Sequence, residues 1–206
     1  LVGITKLVLP LSIPNKNRGI QTVTGHISFY ADLSHHTKGH HMSRFVEILH
    51  KNSSESLTLK RLRSIVHEVK QALNAKNAYL EISFIYFISK KSPVSKKNSF
   101  LDYDCKIISK VNSGDCEQKL VVKVPVLLLC PCSKAISKYN AHNQRAIVTV
   151  TVYLTRELFI EELIRLIEKE GSCGIYSLLK RPDEKYVTEK SYDNPKFVED
   201  VVRDVA

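Results

Sequence analysis

The sequence predicts an α+β fold made of two similar modules in tandem. Three observations predict it. Long runs of residues alternate apolar and polar, the period of a half-buried strand. Between them lie stretches whose apolar residues recur at three- and four-residue spacing, the period of a helix packed on one face. The order of these segments, strand-strand-helix-helix-strand-strand, begins again after residue 115 and lacks its closing pair of strands at residue 206. The repeat is one of pattern, without residue-level identity. It divides the chain into modules 1–115 and 116–206 and predicts closing strands beyond the last residue.

Each element follows from its residues. Leu7, Leu9, Leu11 and Ile13 alternate, giving a first strand. Residues 20–33 form a second, with Ile27, Phe29 and Ala31 on one face. Ser43 is placed to cap a short helix over 43–49 and Ser56 a longer one. In the longer helix Leu59, Leu62, Val66, Val69 and Leu73 make the inward stripe, opposite Lys60, Arg61, Arg63, Glu68 and Lys70. Ala78, Leu80, Ile82, Phe84, Tyr86 and Ile88 alternate as a long third strand, and residues 100–111 make a fourth. Asn112-Ser113-Gly114-Asp115 is a turn signal. Strands follow at 119–129 and 145–154, the latter rich in Val, Ile and Thr. Thr155 is a candidate cap for a helix carrying Leu158, Phe159, Leu163, Leu166 and Ile167, which stops at Gly171. Residues 172–194 show no period and read as irregular. Pro195 then opens a last helix with Phe197, Val198, Val201, Val202 and Val205 inward.

Composition narrows the function. The 206 residues are 43% hydrophobic and 25% charged, ordinary for a globular chain. Seven Gly and seven Pro exclude collagen-like and low-complexity chains. The longest apolar runs are strand-sized, short of the roughly 18 residues a membrane span needs. The N-terminus has no signal-peptide pattern. Five Cys point to a reduced, cytoplasmic setting rather than a disulfide scaffold. Lys and Arg outnumber Asp and Glu by 31 to 21, a net charge of +10, which calls for an anionic partner. No nucleic-acid module and no membrane segment is recognised. No Walker loop, GxGxxG, GxSxG or HExxH is present.

Four stretches can carry chemistry. His35-His36-Thr37-Lys38-Gly39-His40-His41-Met42-Ser43-Arg44 holds four of the eight His and suits a phosphate cradle or a metal site, or is a polar loop. Cys130-Pro131-Cys132 ends a strand and His142 precedes the next. Thiolate and imidazole at adjacent strand ends can share one metal; the same spacing also fits two buried Cys and a surface His. Tyr176 to Lys185 is dense in charge, with Glu184 as an oxygen ligand or general base and Lys180, Arg181 and Lys185 for phosphate, or is a solvated run. Glu199 lies in the last helix; turned inward, its carboxylate can accept a pair of hydrogen bonds from a guanine-type N–H pair. Lys90, Lys91, Lys96 and Lys97 read as a solvated hairpin tip that adds charge without chemistry.

Together, His36-Thr-Lys-Gly-His-His41-Met-Ser-Arg-Phe-Val-Glu47, Cys130-Pro-Cys-Ser-Lys134 with His142-Asn-Gln-Arg145, Tyr176-Ser-Leu-Leu-Lys-Arg-Pro-Asp-Glu184 and Tyr192-Asp-Asn-Pro-Lys-Phe-Val-Glu-Asp-Val-Val-Arg-Asp204 closely resemble the type IB GTP cyclohydrolase family. The resemblance implies the tunnelling fold, tandem ββααββ modules assembling into barrels in a homotetramer. It implies conversion of GTP and water to 7,8-dihydroneopterin triphosphate and formate, the entry to folate synthesis. Cys130 resembles the family's metal-ligand Cys, Glu184 its carboxylate ligand and His142 its active-site His, as ligand or proton shuttle. Cys132 matches the second Cys of the motif. Glu199 resembles the carboxylate that anchors the guanine ring. Lys38, His40, His41, Ser43, Arg44 and Arg145 are the triphosphate candidates by charge and position. The implied cofactor is one divalent metal, zinc, manganese or ferrous iron. A further metal-binding His of the family has no counterpart up to Ala206. The alternatives are an archaeal-type sister cyclohydrolase giving a cyclic phosphate, a sister nitrile reductase using Cys and NADPH, and a non-catalytic nucleotide- or RNA-binding module.

Overall fold

Alternation produces the strands it promises. A computed structural model describes residues 1–32, 42–52, 55–112 and 115–206. β1 (Val2–Asn15), β2 (Gly19–Ala31), β3 (Ala78–Lys91), β4 (Asn98–Asn112), β5 (Asp115–Leu129) and β6 (Asn143–Tyr153) lie side by side in chain order, and the two-residue β7 (Cys173–Gly174) pairs with β5. The pairs β1–β2, β2–β3, β4–β5 and β5–β7 are antiparallel. The helices are α1 (Ser43–Asn52), α2 (Leu59–Ala72), α3 (Pro131–Ile136), α4 (Ile160–Glu170), α5 (Arg181–Asp193) and α6 (Val198–Val205). An α+β chain with an antiparallel sheet is therefore what the periodicity specified. No helix among the described residues is long and apolar enough to cross a membrane.

Two compact units arise from interleaved segments. One comprises Leu1–Tyr86, Asp104–Val122 and Thr151–Phe159. Its core is the inward face of the strands, where Leu11, Ile13, Ile27, Phe29, Leu80 and Ile82 are buried, together with Phe45, Leu62, Ile65, Val66 and Val69 of the helices. The Phe45 ring of α1 meets the Phe29 ring of β2 at 5.5 Å between centroids. The β1–β2 turn places Gly19 at φ +76°, a conformation that side-chain-bearing residues rarely adopt. Thr58, not Ser56, caps α2: its hydroxyl accepts from Arg61 N–H at 3.2 Å. Ser56 instead bridges to Ser12, and Leu57 N–H donates to the Ser12 carbonyl at 2.8 Å.

The other unit comprises Phe87–Tyr103, Lys123–Val150 and Ile160–Ala206. Val124, Val126, Leu128 and Leu129 of β5 are buried, as are Ile160, Leu163, Ile164 and Ile167 of α4. α4 begins five residues later than Thr155, so Leu158 and Phe159 stand outside it. Its stop at Gly171 is as expected; a Cβ there would stand 2.8 Å from Val126 Cβ, so only Gly permits this approach. Two expectations are corrected. Residues 181–193, read as irregular, are the helix α5. Its mixture of charges carries no apolar period, and its start is set by hydrogen bonds instead. α6 starts at Val198, beyond Pro195, and only Val201 of its apolar residues is fully buried, while Phe197, Val198 and Val202 are 42%, 52% and 61% exposed.

Phe45→Ala tests the docking of α1. Loss of a fully buried aromatic is expected to lower the unfolding free energy by about 3–5 kcal/mol in urea titration. A change under about 1 kcal/mol would mean that α1 does not rest on β2.

Candidate active site

The segment Ile175 to Glu184 is irregular in sequence but tightly held. Lys90 Nζ on β3 donates to the Ile175 carbonyl at 2.7 Å and to Glu168 Oε1 at 2.8 Å. It also sits 4.4 Å from the centre of the Tyr176 ring. Glu168, on α4, accepts a second bond from Tyr103 Oη at 2.7 Å. Lys90 and Glu168 are only 16% and 15% exposed, so each charge needs the other. Burial first, and then the Glu168 carboxylate, push the Tyr103 phenol above its ordinary range, so it stays a proton donor. Burial pushes the Tyr176 phenol up to about 12. Ser92 Oγ donates to the Leu178 carbonyl at 2.8 Å and Ser177 Oγ to the Phe100 carbonyl at 2.7 Å.

Asp183 completes this attachment. It is fully buried and accepts from Val94 N–H, Ser95 N–H and Lys180 N–H at 2.8 Å each and from Ser95 Oγ at 2.6 Å. Burial raises its pKa, but these bonds outweigh burial and hold the carboxyl well below the usual carboxylate range. The bond from Lys180 N–H to the Asp183 carboxylate three residues on caps the start of α5, with Pro182 in its first turn. Glu184, next in sequence, is exposed, and its Oε2 lies 3.5 Å from Arg181 Nη1. The hairpin tip expected to be inert is thus what holds the motif carrying Glu184. Lys90, Tyr103, Glu168 and Asp183 were missed. Pro followed by Asp, a helix-start signal, was the available clue for Asp183.

Cys130 closes β5 and caps α3. Its half-buried sulfur accepts from Ser133 N–H at 3.4 Å. Ser133, through its hydroxyl first and this N–H second, lowers the thiol pKa, with a smaller contribution from Cys132. Its N–H donates to the His142 carbonyl at 3.2 Å, so the two chemical residues are joined through the backbone. Cys132, His142 and Arg145 are exposed. Near them Lys134 Nζ donates to the Tyr192 carbonyl, Tyr192 Oη to the Ala141 carbonyl at 3.3 Å, and Lys196 N–H to the Leu129 carbonyl at 3.1 Å. These bonds set Cys130 beside the C-terminal end of α5, whereas Glu184 is in its first turn, roughly 14 Å back along the helix at 1.5 Å per residue. Among the described residues no three His, Cys, Asp or Glu side chains gather to hold a metal ion. The donor chemistry of Cys130 does fit a metal, because the thiolate is the ligating form.

Glu199 is exposed in the first turn of α6, where Asp200, not Glu199, accepts from Phe197 N–H at 3.0 Å. Ser43 and Arg44 open α1 in the first unit, and Arg44 Nη1 donates to the Ala72 carbonyl at the end of α2 at 2.7 Å. Lys38, His40 and His41 lie outside the described residues.

The thiols are expected to differ in alkylation. In metal-free protein, mass-spectrometric titration with iodoacetamide should give Cys130 a midpoint below the ~8.5 of an ordinary thiol. Cys105, whose pKa burial pushes up to about 12, should stay unreacted through neutral pH. A Cys130 midpoint at or above ~8.5 would contradict the role of Ser133.

Comparison with known proteins places this geometry. A family model described as type I GTP cyclohydrolase folE2 matches residues 1–206. A protein named GTP cyclohydrolase FolE2 from Nitrosococcus oceani is 48% identical over 205 residues, covering 100% of this chain and 76% of the relative. One of the same name from Methylobacillus flagellatus is 47% identical, covering 100% and 77%. Another from Citrifermentans bemidjiense is 47% identical over 203 residues, covering 98% and 75%. The model match spans the whole chain, the cysteine motif, the hairpin-held segment and the last helix included, and the chain belongs to the type I GTP cyclohydrolase FolE2 family.

Proposed function

We propose that this chain, as a type IB enzyme of the tunnelling fold, converts GTP and water to 7,8-dihydroneopterin triphosphate and formate, the first step of tetrahydrofolate synthesis. Family membership across residues 1–206 carries the reading. The lowered pKa of Cys130, a residue joined to His142, supports it. A divalent metal ion, zinc, manganese or ferrous iron, held by Cys130, His142 and Glu184, would supply the Lewis acidity that makes hydroxide available near neutral pH.

The side chains have separate tasks in this reading. The Glu199 carboxylate selects guanine by accepting from its N1–H and exocyclic amine. Purine C8 is the electrophilic carbon because two nitrogens flank it. His142, exposed just before β6, serves as a ligand of that metal or, unligated, as the shuttle that gives a proton to the departing ring nitrogen. Cys132, on α3 two residues after Cys130, adds to the lowering of the thiol pKa, by less than Ser133 does. Lys38, His40, His41, Ser43, Arg44 and Arg145 meet the triphosphate. Cys130 and Glu184 lie at opposite ends of α5, and a site using both is completed when neighbouring copies in a homotetramer share it. The modules 1–115 and 116–206 are the tandem units of that assembly, and the enzyme works in the cytoplasm.

GTP turnover tests the reading. One formate per GTP is expected, with a fluorescent pterin after oxidation that retains its triphosphate. Stringent chelation should abolish turnover, and Cys130→Ala should do the same. Glu199→Gln should lower kcat/KM by about 10- to 100-fold, the worth of a charged hydrogen bond. A cyclic phosphate product would transfer the chain to the archaeal-type chemistry. Absence of formate, with salt-sensitive RNA binding in its place, would replace the enzyme by a binding module.

A further inference from the structure

One carboxylate joins the hairpin tip to the start of α5, and the next residue in the chain is Glu184. Asp183 is 0% exposed and its two oxygens receive four hydrogen bonds, from Val94 N–H, Ser95 N–H, Ser95 Oγ and Lys180 N–H. The first three come from the loop between β3 and β4, the fourth from the residue before α5. They fix both the place where α5 begins and its rotation about its own axis. Successive helical residues point about 100° apart, so an inward, locked Asp183 dictates the direction in which Glu184 leaves the helix. Glu184 N–H donates to the Lys180 carbonyl at 2.9 Å, so its backbone is locked to the same capped residue. The Glu184 side chain, by contrast, is exposed, and 3.5 Å from Arg181 is its nearest ion-pair distance. Its direction is set from below by Asp183.

We propose that Asp183 is a positioning residue that acts through Glu184, holding that carboxylate where it can ligate a divalent cation. The inference rests on Glu184 being the carboxylate ligand of the proposed function. The hairpin tip, residues 92–97, is then part of the active-site support.

Binding of Mn2+ alone to the full-length chain, read from the electron paramagnetic resonance signal of free Mn2+, tests this without any turnover. Asp183→Asn keeps the side-chain shape and one acceptor oxygen but turns an amide toward donors that need a carboxylate. It should weaken Mn2+ binding by at least about tenfold, as loss of a ligand's supporting partner does. In a Glu184→Ala background, already weakened, Asp183→Asn should add less than about twofold, because its effect passes through Glu184. Ser95→Ala, which removes one of the four bonds, should give a smaller loss and carries the test if Asp183→Asn does not fold. Unchanged binding in both Asp183→Asn and Ser95→Ala, alongside weakened binding in Glu184→Ala, overturns the positioning role and leaves the ligand reading intact. Wild-type binding in Glu184→Ala overturns the ligand reading and the proposal with it. Equal losses in the presence and absence of Glu184 show a purely structural role and also overturn the proposal.

Discussion

A charge buried without water must be met by donors on every side, and in this chain that demand falls on Asp183. Its oxygens have no exposure and four donors. A buried carboxylate with fewer partners carries a desolvation penalty of several kcal/mol. The donors come from two segments that share no regular hydrogen-bond ladder, so satisfying the charge brings the hairpin tip and the start of α5 to one point. The Lys90–Glu168 pair makes the same demand nearby and recruits Tyr103 and the Ile175 carbonyl. Between these two buried charges the segment from Ile175 to Lys180 is held by polar bonds at Ile175, Ser177, Leu178 and Lys180. Each of those bonds is specific in direction, which apolar packing is not, and together they fix where α5, which carries Glu184, begins.

The other chemical residue is positioned by different means. Cys130 is placed by β5, whose apolar residues bury it up to its last position, and its thiol is tuned by the hydroxyl and N–H of nearby Ser133 rather than by a remote charge. A hydrogen bond to the charged form lowers a thiol pKa in the same way that a capping N–H stabilises a carboxylate. The family's reaction acts on GTP, which is itself an anion. The net charge of +10 has a matching meaning. Part of it is structural, as at Lys90. The rest lies on exposed side chains such as Arg145.

The strands were legible because burial alternates with the residues: Leu9, Leu11 and Ile13 are buried, as are Ile27, Phe29 and Ala31. The inward stripe of α2 was legible for the same reason. Helix α5 was not, because its inward positions are Asp183 and Ser191, both buried and both polar, and a hydrophobic period cannot see them. The last helix misled in the opposite sense: its apolar residues recur at helical spacing, yet Phe197, Val198 and Val202 face outward. Periodicity reports that a helix has an apolar face, not what covers it. Of the site, the Cys130–His142 proximity followed from adjacent strand ends, whereas the Lys90–Glu168 and Val94–Asp183 bonds join residues 78 and 89 positions apart, and the Pro182-Asp183 helix start was their one local trace.

The claim on which the rest stands is that one buried carboxylate holds the hairpin tip and the start of α5 together. Site-resolved amide hydrogen exchange in wild type and Asp183→Asn addresses it most directly. Val94, Ser95 and Lys180 should be protected in the wild type and should all exchange faster in the variant, while the amides of β1 and β2 stay as they were. Protection of those three amides that survives the substitution would contradict the account.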